Sequence, residues 1–305
     1  MIKTPRLWAS LILGLLIHSQ ASADAQMWHH QKTGAKLAQE KLQALPDLEP
    51  VAIGVFDVSF YGHEQLLQNA LHPNASIEPS SLYSPHGGAV ASIITNDELG
   101  ATKKAQIHVL NTGIFLEDFQ KGIELVKKHD VKVVNISLGL REAAITEALT
   151  QATEELGTIF VVTSGNSGER LRKDLPAYYH DLKAIIVSCV DEDGEIPAFA
   201  QIDSSVTVLA PCGKDNIPSL MVTWNSLDPN APKIVKPYMM GMTSSGAPQV
   251  TAAITDALSL KPDLDFDEVK KLLRETATEF VEYEGRRYPV LNHLGLVEAL
   301  LENSH

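Results

Sequence analysis

Six short apolar runs, rich in valine and isoleucine and separated by segments of helical periodicity, constrain this 305-residue chain more than any other feature. They are Val51–Phe56, Ile107–Leu110, Val131–Ile136, Ile159–Val162, Ala184–Val187 and Val206–Leu209. A strand that is apolar on both of its faces belongs in a parallel sheet covered on both sides, because a sheet with one wet face alternates apolar and polar residues. The segments between the runs supply the covers. Phe119, Ile123 and Val126 draw one apolar stripe along a helix, and Ile145, Leu149, Ala152 and Leu156 draw another. Asp265 followed by Glu268 has the form of a capping box, opening a helix with Val269, Leu272, Leu273 and Thr276 on one face. The fold class is therefore α/β. The irregular stretch from Gly213 to Pro237, with Pro218, Pro229 and Pro232 inside it, reads as a loop or hairpin excursion.

With 44% hydrophobic residues, a chain of this length buries one large core, so one domain is expected behind the N-terminal stretch. That stretch is different in kind. Lys3 and Arg6 precede an apolar run from Leu7 to Ile17, and small residues follow at Ala21 and Ala23, the pattern of a signal peptide over residues 1–23. The run is shorter than the roughly 20 residues a spanning helix needs, so cleavage after Ala23 is expected, leaving an exported chain from Asp24 in the periplasm or outside the cell, off the membrane. The formal net charge of −13 for the full chain argues against nucleic acid as a partner, since phosphate neutralisation needs a basic surface. Cys189 and Cys212 would reside where disulfides persist; they either pair or serve as two small buried hydrophobes, and their spacing is not that of a metal site.

In open parallel sheets, sites form at the carboxyl ends of strands, so the polar residues that end each apolar run carry the functional question. Asp57 ends the first run. His86 sits in Ser84-Pro85-His86-Gly87-Gly88, where an apolar helix begins. Asn166 follows a strand in Thr163-Ser164-Gly165-Asn166-Ser167-Gly168, and Ser244 lies in Gly241-Met242-Thr243-Ser244-Ser245-Gly246-Ala247-Pro248, a small-residue turn leading into a helix. Singly, each has an ordinary structural explanation: a turn carboxylate, a core histidine, a Gly/Asn turn, a helix cap.

Together, in this order and context, the four segments resemble the subtilase family, whose pattern is a strand ending in Asp, a His-Gly box opening a helix, a strand ending in Gly-Asn, and a Gly-Thr-Ser box with a proline opening a buried helix. Pro248 stands four residues after Ser244, which selects Ser244 over Ser245; His63 takes the place of a non-catalytic histidine of the family. Further likeness lies in Asn135-Ile136-Ser137-Leu138-Gly139, in Leu175-Pro176-Ala177-Tyr178-Tyr179, in the opening helix around Trp28 and Gly34–Leu37, and in a closing helix from Tyr288 to Leu300. The resemblance spans nearly all of residues 24–305. It implies a three-layer subtilisin-like catalytic domain with a mostly parallel central sheet, and a serine endopeptidase whose triad is Asp57, His86 and Ser244.

In that reading Asn166 and the Ser244 N–H bind the developing oxyanion, and an extended peptide lies along Ser137, Leu138 and Gly139 and against Ser164 and Gly165. Protein or peptide substrates, a monomer and no required cofactor are expected, with structural calcium left unassigned. The stretch from Asp24 to Pro50 is too short for the family's usual propeptide, so no propeptide domain is expected. The residues around the triad depart from the family at Val58, Gly88, Ser245, Ala247 and Gln249, and the hydroxyl that often supports the aspartate is absent or displaced to Ser59. Those departures support an alternative, a catalytically inactive subtilase fold acting as a binding or scaffold protein.

Overall fold

The computed structural model describes residues 27–45, 47–60, 67, 69–75, 84–168, 173–214, 216–223 and 234–302. The export pattern of residues 1–23 and His63 lie outside them. Two helices come first, α1 (Trp28–Thr33) and α2 (Ala35–Gln43), where the resemblance placed an opening helix. Strands and helices then alternate as β1 (Val51–Asp57), α3 (His86–Ile94), β2 (Ala105–Asn111), α4 (Leu116–His129), β3 (Val133–Ile136), α5 (Ala143–Leu156) and β4 (Ile159–Thr163). Next come β5 (Ile185–Val190) and β6 (Val208–Pro211), then a hairpin of β7 (Ile217–Thr223) and β8 (Ile234–Met240). The chain continues through α6 (Thr243–Leu260), α7 (Phe266–Glu275), β9 (Phe280–Tyr283), β10 (Arg286–Pro289) and α8 (His293–Glu302).

All six apolar runs are strands of one sheet, parallel throughout, in the order β2-β1-β3-β4-β5-β6. Their side chains divide by the period of two. Ile53, Val55, Val133, Val161, Ile185 and Val187 join the core beneath α3 and α6, whereas Phe56, Val134, Ile136, Phe160, Val162 and Ile186 join the core beneath α4 and α5. The result is the expected three layers, and each fully buried aliphatic or aromatic side chain contributes about 2 kcal/mol. Element bounds shift where backbone geometry intervenes. The run from Val131 becomes a strand only at Val133, because Asp130 takes a left-handed conformation (φ 50°) and the Val131 N–H donates to Val126 O, closing α4. The proline-rich stretch is the β7–β8 hairpin in its described part, and the Asp265–Glu268 capping box is formed.

One expectation needs correction. Tyr288 and Pro289 do not begin the closing helix; they belong to β10, which pairs antiparallel with β9 across a turn at Glu284 and Gly285, both with positive φ, and the helix starts at His293. Pro289 cannot enter a helix interior, and Tyr288 buries its ring under the sheet's α4–α5 side.

Helix α6 sets the frame for everything polar in the centre: all of its residues except Ser244 and Leu260 are buried. A helix without a wet face must satisfy its polar side chains internally. Thr251 Oγ1 donates to Asn135 Oδ1 (3.1 Å) on β3, while Asp256 accepts from Thr102 Oγ1 and pairs with His293 Nε2 at 2.8 Å. The second set ties α6 to α8 and to the loop after α3. Cys189 on β5 and Cys212 just beyond β6 are joined as a disulfide (Cα–Cα 5.3 Å), which follows from the adjacency of the two strands. Closing that 23-residue separation is worth about 3 kcal/mol by loop entropy. Among the described residues no helix is long and apolar enough to cross a membrane.

Burial on α1 gives folding a pH dependence. His30 is 7% exposed, and its pKa is lowered to about 4 by desolvation first and then by the charges of His293, Lys103 and Lys36. Its folded pKa lies below the unfolded value of about 6.5, so the unfolded chain binds the extra proton, and stability present above pH 6.5 is lost as pH falls towards about 4. The loss attributable to this group is roughly 3 kcal/mol. Denaturant unfolding at pH 7 and pH 4.5 should therefore show a smaller acid-induced drop for His30→Gln than for the wild type; equal drops would remove His30 from the account.

Candidate active site

The carboxyl ends of β1, β3 and β4 and the N-termini of α3 and α6 meet at one edge of the sheet, and the four polar residues singled out in the sequence stand there. Asp57, the last residue of β1, is fully buried, and its Oδ1 accepts both the Val58 N–H (2.8 Å) and His86 Nδ1 (2.7 Å). Because a carboxylate only accepts, the bond requires the proton on His86 Nδ1 and leaves Nε2 as the lone-pair nitrogen. His86 is the first residue of α3, and the following glycine explains how it comes so close to β1: a Cβ at Gly87 would collide with Ser59 O. Ser59 does not supply the displaced support for Asp57. Its hydroxyl and Asp57 Oδ2 are both buried without a hydrogen-bond partner among the described residues.

Burial pulls the imidazole pKa of His86 down, while the Asp57 charge and hydrogen bond push it up and prevail, so it lies above 6.5.

Ser244 occupies the second position of α6, and two features of its turn follow from the sequence. Pro248 has no N–H, so the carbonyl four residues earlier, Ser244 O, loses its helical donor. Ser137 Oγ takes that place, donating to Ser244 O at 3.0 Å, and is itself held by Asn135 Nδ2 at 3.0 Å. In return Ser244 Oγ donates to Ser137 O at 3.1 Å, and this is the bond the hydroxyl makes here, rather than one to His86. Met242, just ahead, adopts φ 60° and ψ −171°, a region that normally requires glycine. Its N–H donates to Gly213 O (2.7 Å), and its carbonyl accepts the Ser245 N–H (3.1 Å) and hydroxyl (2.8 Å). Ser245 is thus occupied with holding the turn.

Asn166 is oriented by a residue that the sequence reading did not weigh. Its Oδ1 accepts the Thr243 N–H (3.0 Å) and hydroxyl (2.7 Å), which fixes the orientation of the amide. Asn166, Ser137, Leu138, Gly139, Ser164, Gly165 and Ser244 all line one cleft of about 430 Å³. Gly165 keeps its wall open through φ 109°, and a Cβ there would collide with Gln201 Oε1. Arg141, also absent from the sequence reading, lines the same cleft. Among the described residues no group of three or more histidines, cysteines, aspartates or glutamates is placed to hold a metal ion.

The layered fold and the polar groups gathered at its carboxyl edge define a three-layer α/β protein, and comparison with known proteins narrows this further. Residues 50–294 match the model of the subtilase family (peptidase S8), and the chain belongs to that family. It is 27% identical over 159 residues to proprotein convertase subtilisin/kexin type 7 of Homo sapiens, covering 52% of this chain and 20% of that protein. It is 26% identical over 255 residues to the halolysin-like extracellular serine protease Nep of Natrialba magadii, covering 76% of this chain and 44% of that protein. The chain thus spans less than half the length of these relatives. Among solved structures, proteases from Pseudoalteromonas arctica align with TM-score 0.71 at 18% identity, over 90% of this chain and 97% of theirs. A cold-adapted subtilisin-like serine proteinase aligns with TM-score 0.65 at 20% identity, over 81% of this chain and 90% of its own.

The balance at His86 can be read directly. Its imidazole should titrate above pH 6.5 in the wild type by NMR. In Asp57→Asn, where burial remains and the charge is gone, it should titrate below 6.5. A titration unmoved by the substitution would deny Asp57 its control of the imidazole.

Proposed function

We propose that the protein is an exported serine endopeptidase acting through an acyl-enzyme, with Asp57, His86 and Ser244 as its triad and Asn166 as an oxyanion donor. The 2.7 Å bond between Asp57 and His86 Nδ1 carries this reading, because it sets the tautomer that a general base beside Ser244 needs. The serine hydroxyl turns from Ser137 O to His86 Nε2, gives up its proton there, and attacks the substrate carbonyl carbon. The oxyanion so formed accepts from Asn166 Nδ2 and from the Ser244 N–H, which as one of the first donors of α6 has no intrahelical acceptor. His86 then passes the proton to the departing amine, and water repeats the sequence to free the acid. Asp57 remains ionised throughout and stabilises the imidazolium.

The peptide lies extended along Ser137–Gly139 and Ser164–Gly165, main chain to main chain. These steps use protein groups and water and draw on no cofactor. Export is supported by the sequence pattern of residues 1–23 and by the Cys189–Cys212 disulfide. The family departures behind the inactive-scaffold reading remove none of the groups these steps use; Gln249, for example, donates to Pro211 O and Ser245 O inside the core.

Two measurements test the proposal. Treatment with a serine-directed fluorophosphonate should add one adduct to the folded protein by intact mass and none to Ser244→Ala; absence of an adduct from the wild type would favour the scaffold. Asn166→Ala should lower kcat on the order of a hundredfold or more with KM little changed, a loss of about 3 kcal/mol, the size known from a subtilisin. Unchanged turnover would take Asn166 out of the oxyanion site.

A further inference from the structure

The cleft beside Ser244 has an unusual charge pattern for so acidic a chain. Among its described lining residues Arg141 carries the only charge, on a protein with a net charge of −13. Arg141 is exposed and makes no ion pair and no hydrogen bond among the described residues. Its backbone is not free to wander. The preceding Leu140 is clamped on both sides of its peptide, its N–H donating to Tyr179 Oη (2.9 Å) and its carbonyl accepting from Tyr178 Oη (2.9 Å). Tyr179 is buried, which pushes its phenol up and keeps it neutral.

A second observation points the same way. Thr163 and Ser164 belong to the wall of this cleft, both are 2% exposed, and neither hydroxyl, each of them enclosed, has a hydrogen-bond partner among the described residues. The nearby Gln201 amide is already spent on Asp174 O at 2.7 Å. Among the described residues the cleft therefore presents one cation and no carboxylate, with two unpartnered hydroxyls enclosed in its wall. An apolar substrate side chain would leave the hydroxyls unpaired, and a basic one would meet Arg141 as a like charge. A carboxylate accepts from the hydroxyls and pairs with the guanidinium.

We propose that this cleft selects peptides carrying glutamate or aspartate at the residue whose carbonyl Ser244 attacks, with Arg141, Thr163 and Ser164 binding the side-chain carboxylate. The proposal rests on Ser244 being the nucleophile. Hydrogen bonds from the exposed Arg141 guanidinium to a carboxylate are worth about tenfold in kcat/KM.

Fluorogenic peptides identical except for Glu, Gln, Leu or Lys at that residue test it on the purified exported protein. The expected order places Glu about tenfold above Gln and Lys last, with the Glu-to-Gln ratio shrinking as salt is raised, because screening weakens the pair. Arg141→Gln should bring that ratio near one, and Arg141→Glu should favour Lys over Glu. Leu or Gln cleaved as fast as Glu by the wild type, or a ratio unmoved by Arg141→Gln, would overturn the specificity while leaving the nucleophile intact. Peptides left uncleaved together with no fluorophosphonate adduct on Ser244 would instead overturn the nucleophile, and this inference with it.

Discussion

A helix enclosed by protein on almost every side leaves its first turn as the place where the chain can meet solvent and substrate, and α6 imposes that condition on the whole molecule. Its N-terminal turn and the carbonyl freed by Pro248 need partners, and the segments at the carboxyl ends of β3, β4 and β6 provide them. Ser137 takes the Ser244 carbonyl, Asn166 takes Thr243, and Gly213 takes Met242. The same bonds that terminate the helix thereby set the position of Ser244. Thr251 and Asn135 extend the arrangement into the core, so that the serine is held by a chain of hydrogen bonds running through the buried face of β3. Stability and site geometry are here one set of contacts.

Two carboxylate–imidazole pairs show how burial gives similar groups different work. Asp256 and His293 are both enclosed, and they join α6 to α8 as a structural tie. Asp57 is equally buried, but its partner His86 keeps 30% of its side chain exposed. The difference lies in access. A similar contrast holds for charge: the chain is acidic overall, whereas Arg141 carries the one charge among the described residues of the cleft beside Ser244.

Much of the fold was legible because the hydrophobic pattern is local. Strands apolar on both faces can satisfy that pattern only between two helical layers, and all six were found in one parallel sheet. The capping box at Asp265 and the hairpin after Gly213 were likewise written in side chains that act on their own backbone. The closing segment misled because Tyr288 and Leu300 both carry the apolar character of a helix stripe, while the positive φ at Glu284 and Gly285 that turns β9 into β10 leaves only a weak trace in composition.

The sequence by itself determined the fold class, the order of elements and the identity of the polar residues that end the strands, since these depend on periodicity and on which residue types tolerate a turn. Tertiary structure alone decided that Cys189 and Cys212 are bonded, that Ser59 makes no hydrogen bond to Asp57, that Thr243 orients Asn166, and that Arg141 lines the cleft with Ser244 beside two hydroxyls without partners among the described residues. The physical reason is range. Hydrogen-bond satisfaction and charge pairing act over a few ångströms between residues far apart in the chain, and no local pattern records which of them the sheet order will bring together.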